Sequence, residues 1–366
     1  MFATCLPGLA PLVRRQLDRL PGITLTGSGF DGRADIVTFE ADRGCQDVVA
    51  RLRTAEDVFV EIGRAGRSDG DNPHRIAAAL WQPQQVERAL SIWTQPIWTQ
   101  QTWTQQTWTE QAWTGPARAG PRRALAGTMT FRVISRVLSE QAFRRTDMRV
   151  ALCRTIGQDR RKWTAADPAQ LEIWACEYRP GQFLSGLRLT GAEMRQHGGR
   201  ALERHGALRP TLAAAMVELA GEPGGILLDP CCGSGTILAE AAAAGWTATG
   251  TDTDQDAVTT ARANAPSATV AIGDALHLDQ PGASVAACVS NLPFGRQYQV
   301  ATDMSSWLAG LLRETARVLA PGGRAVLLTP ARAAGLGPAS LPPAGQFAVR
   351  LLGQRTTIWC FRRLAE

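Results

Sequence analysis

The second half of the chain alternates short apolar runs with helical patterns, and this alternation restricts the possible fold more than any other feature. Runs such as ILLD, TATGTD and GRAVLLT take turns with segments such as TILAEAAAAG and DQDAVTTARANA. Strands that alternate with helices form a parallel sheet with helices on both faces. We therefore predict an α/β domain over residues 209–366, with ligands at the carboxyl ends of its strands. The last two runs, FAVRLLG and RTTIWCFRR, have no clear helix between them and are predicted to pair antiparallel.

The first strand of this domain ends in an acidic residue and a glycine turn. The segment LLDPCCGSGT passes through Asp229, Gly233 and Gly235 before it enters a helix. Such a turn lets the backbone approach a ligand closely. It resembles two families. One is the nicotinamide-binding enzymes, whose third glycine is replaced here by Leu238. The other is the S-adenosylmethionine-dependent methyltransferases, in which the acid faces the cationic amino group of the methionine part. The turn favours the second family but leaves both open.

Aspartates also end the next two strands. Asp252 lies 23 residues after Asp229 and is placed to accept hydrogen bonds from both ribose hydroxyls, a role that suits either cofactor. Asp274, with Ala275 beside it, is placed to accept from the adenine amino group, which is more usual for S-adenosylmethionine. Aspartate is also common in turns and helix caps, and we predict that simpler role for Asp254. Three aspartates at successive strand ends predict a site for S-adenosyl-L-methionine.

The fourth strand, SVAACV, ends in SNLPFG. An exocyclic amine of a base is a poor nucleophile, and its methylation needs acceptors for its hydrogens and support for the developing positive charge. Asn291 offers a side-chain oxygen, and the carbonyl of Leu292 offers a second acceptor, aimed by the stiff ring of Pro293. Phe294 offers an aromatic face for the base and for the charge. The alternative is an ordinary Asn-x-Pro turn; at this strand end we predict a catalytic role.

Together these segments resemble the amino-methyltransferase domain of RNA guanine-N2 methyltransferases. The resemblance rests on DPCCGSGTILAEAA, TDTDQDAVTTARANA, GDA and NLPFG, and it covers about residues 185–330. It implies a Rossmann-like class I methyltransferase sheet, S-adenosyl-L-methionine as cofactor and a guanosine N2 amine as methyl acceptor. The form Asn-Leu-Pro-Phe is similar to the enzymes that methylate guanosine 6 in the acceptor stem of tRNA. Relatives that act at position 10 or on large-subunit rRNA tend to carry a second proline in place of the leucine.

The first half of the chain contains two smaller α+β patterns. Residues 1–80 show two short strands around a glycine-rich turn, with helical patterns near Leu9–Leu20 and Gly44–Leu52. Residues 122–190 show a strand, a helix and two strands around the turn RPGQ. The two parts resemble a ferredoxin-like domain followed by a THUMP domain, which implies that the second part holds the acceptor end of tRNA. Residues 191–208 are predicted to link them to the methyltransferase domain.

A repeat, IWTQPIWTQQTWTQQTWTEQAWT, separates the two α+β patterns. Its tryptophans recur every five residues, a step that gathers the rings on one side of neither a helix nor a strand. We predict a low-complexity insert of low order over residues 84–121. The alternative is a stacking platform for bases.

Basic residues are concentrated in the first half of the chain. Residues 1–208 carry 28 Arg and Lys against 21 Asp and Glu, whereas residues 209–366 carry 11 against 12. Residues 118–162 alone have 12 basic and three acidic side chains. This excess predicts an anionic partner, most simply nucleic acid, whose phosphates Arg160, Arg161 and Lys162 would grip. The alternative is an arginine-rich solvated face.

Other protein classes are disfavoured by composition. No apolar run is long enough to cross a membrane, and we see no signal peptide. The eight cysteines contain no Cys-x-x-Cys pair and the four histidines complete no ligand set, so we expect no metal site. Such cysteines are typical of reduced thiols. We therefore expect a cytoplasmic monomer that acts in tRNA processing or on another structured RNA.

Three rival functions follow from the same residues. An adenine-N6 methyltransferase of DNA or rRNA would use the same four residues after the fourth strand. A non-catalytic RNA-binding protein with a relic domain is disfavoured, because the residues at the cofactor and amine positions are intact. A nicotinamide oxidoreductase is disfavoured by the missing third glycine and by the lack of an evident proton relay.

Overall fold

The structure is a computed structural model, and its described residues form two compact units. One unit lies within residues 1–195 and the other within residues 196–366. The structure describes residues 1–42, 44–45, 49, 52–66, 69, 72–95, 128–191, 193–197, 201–204, 206–293, 304–330, 333, 335–351 and 354–365. No helix in these ranges is long and apolar enough to span a membrane.

The N-terminal unit is built on one eight-stranded sheet. Its strands are β1 (Phe2–Cys5), β2 (Ile23–Phe30), β3 (Asp35–Ala41), β4 (Asp57–Ala65), β5 (Thr130–Arg136), β6 (Thr164–Ala165), β7 (Leu171–Arg179) and β8 (Gln182–Arg188). They lie in the order β2-β3-β1-β4-β8-β7-β5-β6. All neighbours pair antiparallel except β5, which runs parallel to β6 and to β7.

Four helices accompany this sheet in the described part of the unit, and a single turn follows at the unit boundary. They are α1 (Ala10–Asp18), α2 (Pro73–Leu80), α3 (Pro83–Trp93), α4 (Arg145–Asp159) and the turn α5 (Glu193–Gln196). Local sequence explains where they begin. Asn72 caps α2 by accepting from the His74 amide at 2.8 Å, and Pro73 takes the first helical position. Before α4, the Asp147 side chain accepts from the Arg144 amide at 2.7 Å.

Aromatic rings fill the core of the N-terminal unit. The Phe2 and Phe59 rings stack with centroids 4.6 Å apart, and Trp174 lies 5.0 Å from Phe59. Gly186 of β8 makes room for this stack, because a Cβ atom there would lie 2.5 Å from the Phe2 ring. The sheet is therefore tied together by contacts between residues from both ends of the unit.

The two α+β patterns of the first half share one sheet, since β4 pairs with β8 from Phe59↔Arg188 to Ala65↔Phe183. One expectation about this half needs correction. The insert does not begin at Gln84, because α3 buries Val86 and Trp93 among other side chains. Residues 96–127, with most of the tryptophan repeat, lie outside the described residues, as does most of Gly44–Leu52. Whether the two patterns are ferredoxin-like and THUMP domains stays a prediction.

The C-terminal unit has a seven-stranded sheet that confirms the predicted alternation. Its strands are β9 (Ile226–Asp229), β10 (Thr247–Asp252), β11 (Thr269–Ile272), β12 (Val285–Asn291), β13 (Leu319–Thr329), β14 (Pro343–Leu351) and β15 (Gln354–Arg362). They lie in the order β11-β10-β9-β12-β13-β15-β14. The first five in this order are parallel, and β15 pairs antiparallel with β13 and with β14, as predicted for the last two runs.

Among the described residues of the C-terminal unit, four helices separate or precede the strands where the sequence predicted them. They are α6 (Pro210–Ala220), α7 (Thr236–Ala243), α8 (Gln255–Asn264) and α9 (Met304–Val318). The helix α9 buries Leu308, Leu311 and Leu312 in a core that also contains Leu327 and Phe361. Residues of β12 and β13 are part of this core, so packing against the helix fixes the end of β12.

Candidate active site

The predicted site residues gather at one edge of the C-terminal sheet. The strand β9 lies between β10 and β12, and all three run in the same direction. Their last residues are Asp229, Asp252 and Asn291. Because the carboxyl ends of parallel strands meet at one edge, the topology brings these three side chains to the same edge of the sheet, as the sequence predicted.

Asp229 is a buried carboxylic acid, with 1% of its surface exposed. Its Oδ1 accepts a hydrogen bond from the Ser290 hydroxyl at 2.6 Å and from the Cys231 amide at 3.2 Å. Burial raises the pKa of Asp229 to about 7, against the lowering effect of those two donors. At neutral pH the site therefore holds an acid poised between its two forms, and a cation beside it would favour the ionised form.

The glycine turn between β9 and α7 adopts a conformation that favours glycine. Gly233 and Gly235 have φ angles of 52° and 78°. At Gly235 a Cβ atom would lie 2.9 Å from the Cα of Ala261, so the glycine also allows α7 to approach α8 closely. The backbone N–H of Gly233 donates to Asp252 Oδ2 at 2.8 Å. The turn is thus fastened directly to the end of β10.

Asp252 links the glycine turn to the start of α8. Its Oδ1 accepts from the Asp254 amide at 3.0 Å, while its Oδ2 accepts from Gly233. A carboxylate oxygen has a second lone pair, so both oxygens keep capacity to accept from ribose hydroxyls. Asp254 caps α8 by accepting from the Asp256 amide at 2.8 Å, which confirms the simpler role predicted for it.

Asp274 lies just beyond β11 and already has two partners. Its Oδ1 accepts from the Leu276 amide at 2.9 Å, and its Oδ2 lies 3.1 Å from His277 Nδ1. The hydrogen bond from the Leu276 amide is the main cause that lowers the pKa of Asp274. The acid is half exposed and ionised, as an acceptor for an amino group should be. Ala275 is different, because its side chain is buried in the core.

Asn291 is the last residue of β12 and carries a buried polar atom. Its Oδ1 is buried, and within the described residues it has no hydrogen-bond partner. The next residue, Leu292, continues the sheet by donating its N–H to the Leu328 carbonyl at 3.0 Å, and its side chain is buried. Pro293 is the last described residue of this segment, so Phe294 lies outside the described residues.

The three predicted phosphate-binding residues are in unequal surroundings. Arg160 is mostly buried and pairs with Glu87 at 2.6 Å and with Asp159 at 3.0 Å. Its guanidinium also lies 5.4 Å from the centre of the Trp163 ring. Arg161 and Lys162 are exposed. The structure therefore gives Arg160 a packing role, and only the other two keep the environment of a phosphate-binding group.

Sequence reasoning missed two parts of this site. Ser290 was passed over because a serine in an apolar run carries no signal of its own. The second is the segment 201–208, predicted as a plain linker. Asn264 holds it to the glycine turn, because its side chain bonds the N–H and C=O of Leu202 at 2.9 and 3.0 Å and the Ser234 carbonyl at 2.9 Å. Arg204 also pairs with Asp254.

The donor set indicates what kind of molecule this cleft can hold. A buried acid next to the glycine turn would repel a pyrophosphate but would pair with an ammonium group. Asp252 offers acceptors for hydroxyls, and Asp274 offers one for an amino group. The residues therefore fit an adenosine attached to a cationic amino acid. In the described ranges, no group of three or more His, Cys, Asp and Glu side chains could hold a metal ion.

Comparison with known proteins agrees with this chemistry. Residues 197–335 match the family model described as UPF0020, RMKL-like, methyltransferase domain. The chain is 36% identical over 141 residues to the U6 snRNA (guanine-N(2))-methyltransferase THUMPD2 of Bos taurus. That match covers 35% of this chain and 27% of the relative, so the chain spans about a quarter of the length of that relative.

Two solved structures share the fold of the whole chain. TrmN from Thermus thermophilus superimposes with a TM-score of 0.72 at 22% identity, over 99% of each chain. SMU.472, solved in complex with SAH, has a TM-score of 0.61 at 13% identity, over 100% of this chain and 98% of that one. These likenesses confirm the predicted fold class, a Rossmann-like sheet preceded by an α+β region. Residues 197–335 thus contain a methyltransferase domain that is similar to the UPF0020, RMKL-like family model.

Proposed function

We propose that this protein methylates the exocyclic N2 amine of a guanosine in RNA and uses S-adenosyl-L-methionine as the methyl donor. When bound, that cofactor supplies an electrophilic methyl group. The observation that carries the proposal is the buried Oδ1 of Asn291, which has no partner in the described part of the chain. It stands at the end of β12, next to the strand that ends in the buried acid Asp229.

An unpaired buried oxygen needs a physical reason, because such a group costs about 1–3 kcal/mol. A base amine placed against Asn291 would donate one N–H to this oxygen and remove the cost. The hydrogen bond draws electron density toward the amine nitrogen and stabilises the positive charge that develops there during methylation. The carbonyl of Leu292 is the proposed acceptor for the second N–H, and Phe294 is the proposed stacking surface.

The cofactor would be held by the acids at or just beyond the ends of three neighbouring strands. Asp229 pairs with its ammonium group, Asp252 accepts from its ribose hydroxyls, and Asp274 accepts from its adenine amine. The glycine turn leaves open space beside Gly233, where a Cβ atom would meet nothing within 4 Å. The likeness to SMU.472, whose structure contains SAH, supports this assignment.

An RNA substrate is supported by the relative and by charge. THUMPD2 is named a guanine-N2 methyltransferase of U6 snRNA, and the first half of this chain carries the basic excess. For the target we propose guanosine 6 of tRNA, because Leu292 stands between Asn291 and Pro293 as in enzymes of that type. We further propose that the protein acts as a monomer in the cytoplasm, where its eight free cysteines would stay reduced.

The test identifies the modified nucleoside. Purified protein and S-adenosylmethionine are incubated with unmodified tRNA, with rRNA fragments and with U6 snRNA, and each RNA is digested to nucleosides for mass spectrometry. We expect N2-methylguanosine in tRNA, and fragment mapping should place it at position 6. Asn291→Ala is the matched control and should give almost none.

Other products would overturn different parts of the proposal. N6-methyladenosine would keep the amine chemistry but replace guanine by adenine. N2-methylguanosine in rRNA or U6 snRNA alone would keep the reaction and reject tRNA. No methylation of any of these RNAs by a folded, cofactor-binding protein would reject the RNA methyltransferase function.

A further inference from the structure

One side-chain hydrogen bond joins the two motifs of the site. The Ser290 hydroxyl donates to Asp229 Oδ1 over 2.6 Å, although the residues are 61 positions apart in the chain. Ser290 is completely buried and Asp229 is 1% exposed, so water does not compete for this contact. Ser290 directly precedes Asn291 on β12. The hydrogen bond therefore connects β12, which carries the proposed acceptor for the base amine, with β9, which ends in the acid proposed to bind the cofactor.

The charge state of Asp229 depends on few groups. Burial is the largest effect and raises its pKa, and the nearby carboxylate of Asp252 raises it further. The donors that lower the pKa are the Ser290 hydroxyl and, after it, the Cys231 amide. Without the hydroxyl, the two raising effects would be opposed chiefly by one backbone N–H at 3.2 Å.

The neighbouring thiols do not replace the serine. Burial raises the pKa of Cys231 and Cys232 on the turn after β9 and of Cys288 on β12, so all three are neutral near pH 7. Thiols are also weak hydrogen-bond donors. With Asp252 on β10, these are the titratable groups that interact with Asp229 among the described residues.

We propose that Ser290 is a positioning residue that favours the ionised form of Asp229 and orients this acid toward the cationic amino group of the cofactor. The proposal rests on the cofactor assignment made above. It gives β12 a second role. The strand that presents Asn291 to the substrate would also orient Asp229 toward the cofactor. Loss of a hydrogen bond to a charged group is expected to shift the titration of that group by roughly one to two pH units.

The experiment measures cofactor binding against pH. Calorimetric titrations with S-adenosylhomocysteine between pH 6 and pH 9 are made on the full chain, on Ser290→Ala and on Ser290→Thr. For Ser290→Ala we expect the pH midpoint of binding to rise by about one to two units, with a loss of affinity of roughly 5- to 50-fold at pH 7. Affinity should recover toward pH 9, and Ser290→Thr should restore the original profile. The ligand amine titrates equally in every variant, so differences between profiles report on the protein.

A merely structural serine predicts another result. If Ser290→Ala lowers affinity by the same factor at every pH, or leaves the profile unchanged, the positioning role is wrong. If the natural chain binds no S-adenosylhomocysteine at any pH, the cofactor assignment fails instead, so the two failures are distinguishable. Should Ser290→Ala not fold, Ser290→Cys provides the comparison, because its thiol is a weaker donor and should move the midpoint in the same direction.

Discussion

The acids at the strand ends of the C-terminal unit and those on the central strands of the N-terminal sheet are held in different ways. In the C-terminal unit, Asp229 and Asp252 accept hydrogen bonds from backbone amides and one hydroxyl. On the central strands of the N-terminal sheet, the acidic side chains of Asp57 and Glu172 pair instead with arginines. There Glu172 bonds Arg132 and lies near Arg188, which bonds Asp57 at 2.7 Å.

This difference separates an acid that can bind a ligand from one that has a partner already. Amides and hydroxyls satisfy a carboxylate without cancelling its charge, so it still attracts a cation. An arginine cancels the charge, and such a pair serves mainly to order the strands. The same distinction applies to cations, because Arg160 pairs with Glu87 whereas Arg161 is exposed. Counts of charged residues therefore overestimate the surface available to a partner.

The largest expected effect tests the strand ends of the C-terminal unit. Asn291→Ala should lower turnover by on the order of 100–1,000-fold, because it removes one preorganised acceptor from the reacting amine. Affinity for S-adenosylhomocysteine should stay unchanged, since Asn291 is not part of the proposed cofactor contacts. Single-turnover methylation of tRNA and calorimetry measure the two quantities. Near-normal turnover would mean that the segment NLPF is only a strand-ending turn. The strand ends of the C-terminal unit would then not carry the catalytic group.

The second effect concerns the cost of leaving Asp229 without a cation. Its pKa of about 7 lies above the 3.8 of an unfolded aspartate, so the folded state loses stability as the pH rises from about 4 to about 7. Asp229→Asn removes this loss, which is on the order of 2–4 kcal/mol. The variant should therefore be more stable than the natural chain at pH 8, with little difference near pH 4.

Thermal unfolding without cofactor at several pH values measures this prediction. Asp279→Asn, which changes an exposed aspartate of the same unit, is the matched control and should follow the natural chain. If Asp229→Asn keeps the pH dependence of stability of the natural chain, burial does not raise the pKa of Asp229. The contrast with the arginine-paired acids would then be wrong.

The third effect separates free from paired cations in the N-terminal unit. Replacing Arg161 and Lys162 by Ala should weaken RNA binding and reduce its salt dependence, by a slope of up to roughly 0.7–0.9 for each lost phosphate contact. Arg160→Ala should instead lower the free energy of unfolding by about 1 kcal/mol, because it loses the Glu87 pair and the Trp163 contact. Filter binding at several salt concentrations, with thermal unfolding, tests both. If the salt dependence of RNA binding is unchanged in the double variant, Arg161 and Lys162 only face solvent and do not contact phosphates.

The smallest effect is expected for the tryptophan repeat. Replacing residues 97–121 by a short Gly-Ser linker should change RNA affinity and methylation by less than about twofold, because loop length alone costs little. A deletion that starts at Gln84 should destabilise the protein, since it removes the buried side chains of α3. The test measures thermal unfolding and RNA affinity for both variants. A large loss of RNA affinity in the first variant would show that the tryptophans are a platform for bases.

The strands were predictable to different extents in the two units. In the C-terminal unit every strand of the sheet was predicted, although β13 and β14 begin earlier than their apolar runs. The strand β4 (Asp57–Ala65) was missed, although its sequence DVFVEIGRA is rich in apolar residues. It lies in the middle of its sheet and is buried on both faces, so it lacks the alternation that marks a strand with one exposed face. Its pairing with β8 also depends on residues more than 100 positions away.

The sequence alone determined the order of strands and helices in the C-terminal unit and the residues at its strand ends. A parallel sheet follows from local patterns, and it predicts that Asp229, Asp252 and Asn291 lie at one edge of that sheet. Only the tertiary structure decided which charges are neutralised and which remain available. The partners of Ser290 and Arg160 come from other elements, and a hydrogen bond or ion pair forms only where folding places two side chains within about 3 Å. Local periodicity carries no information about that distance.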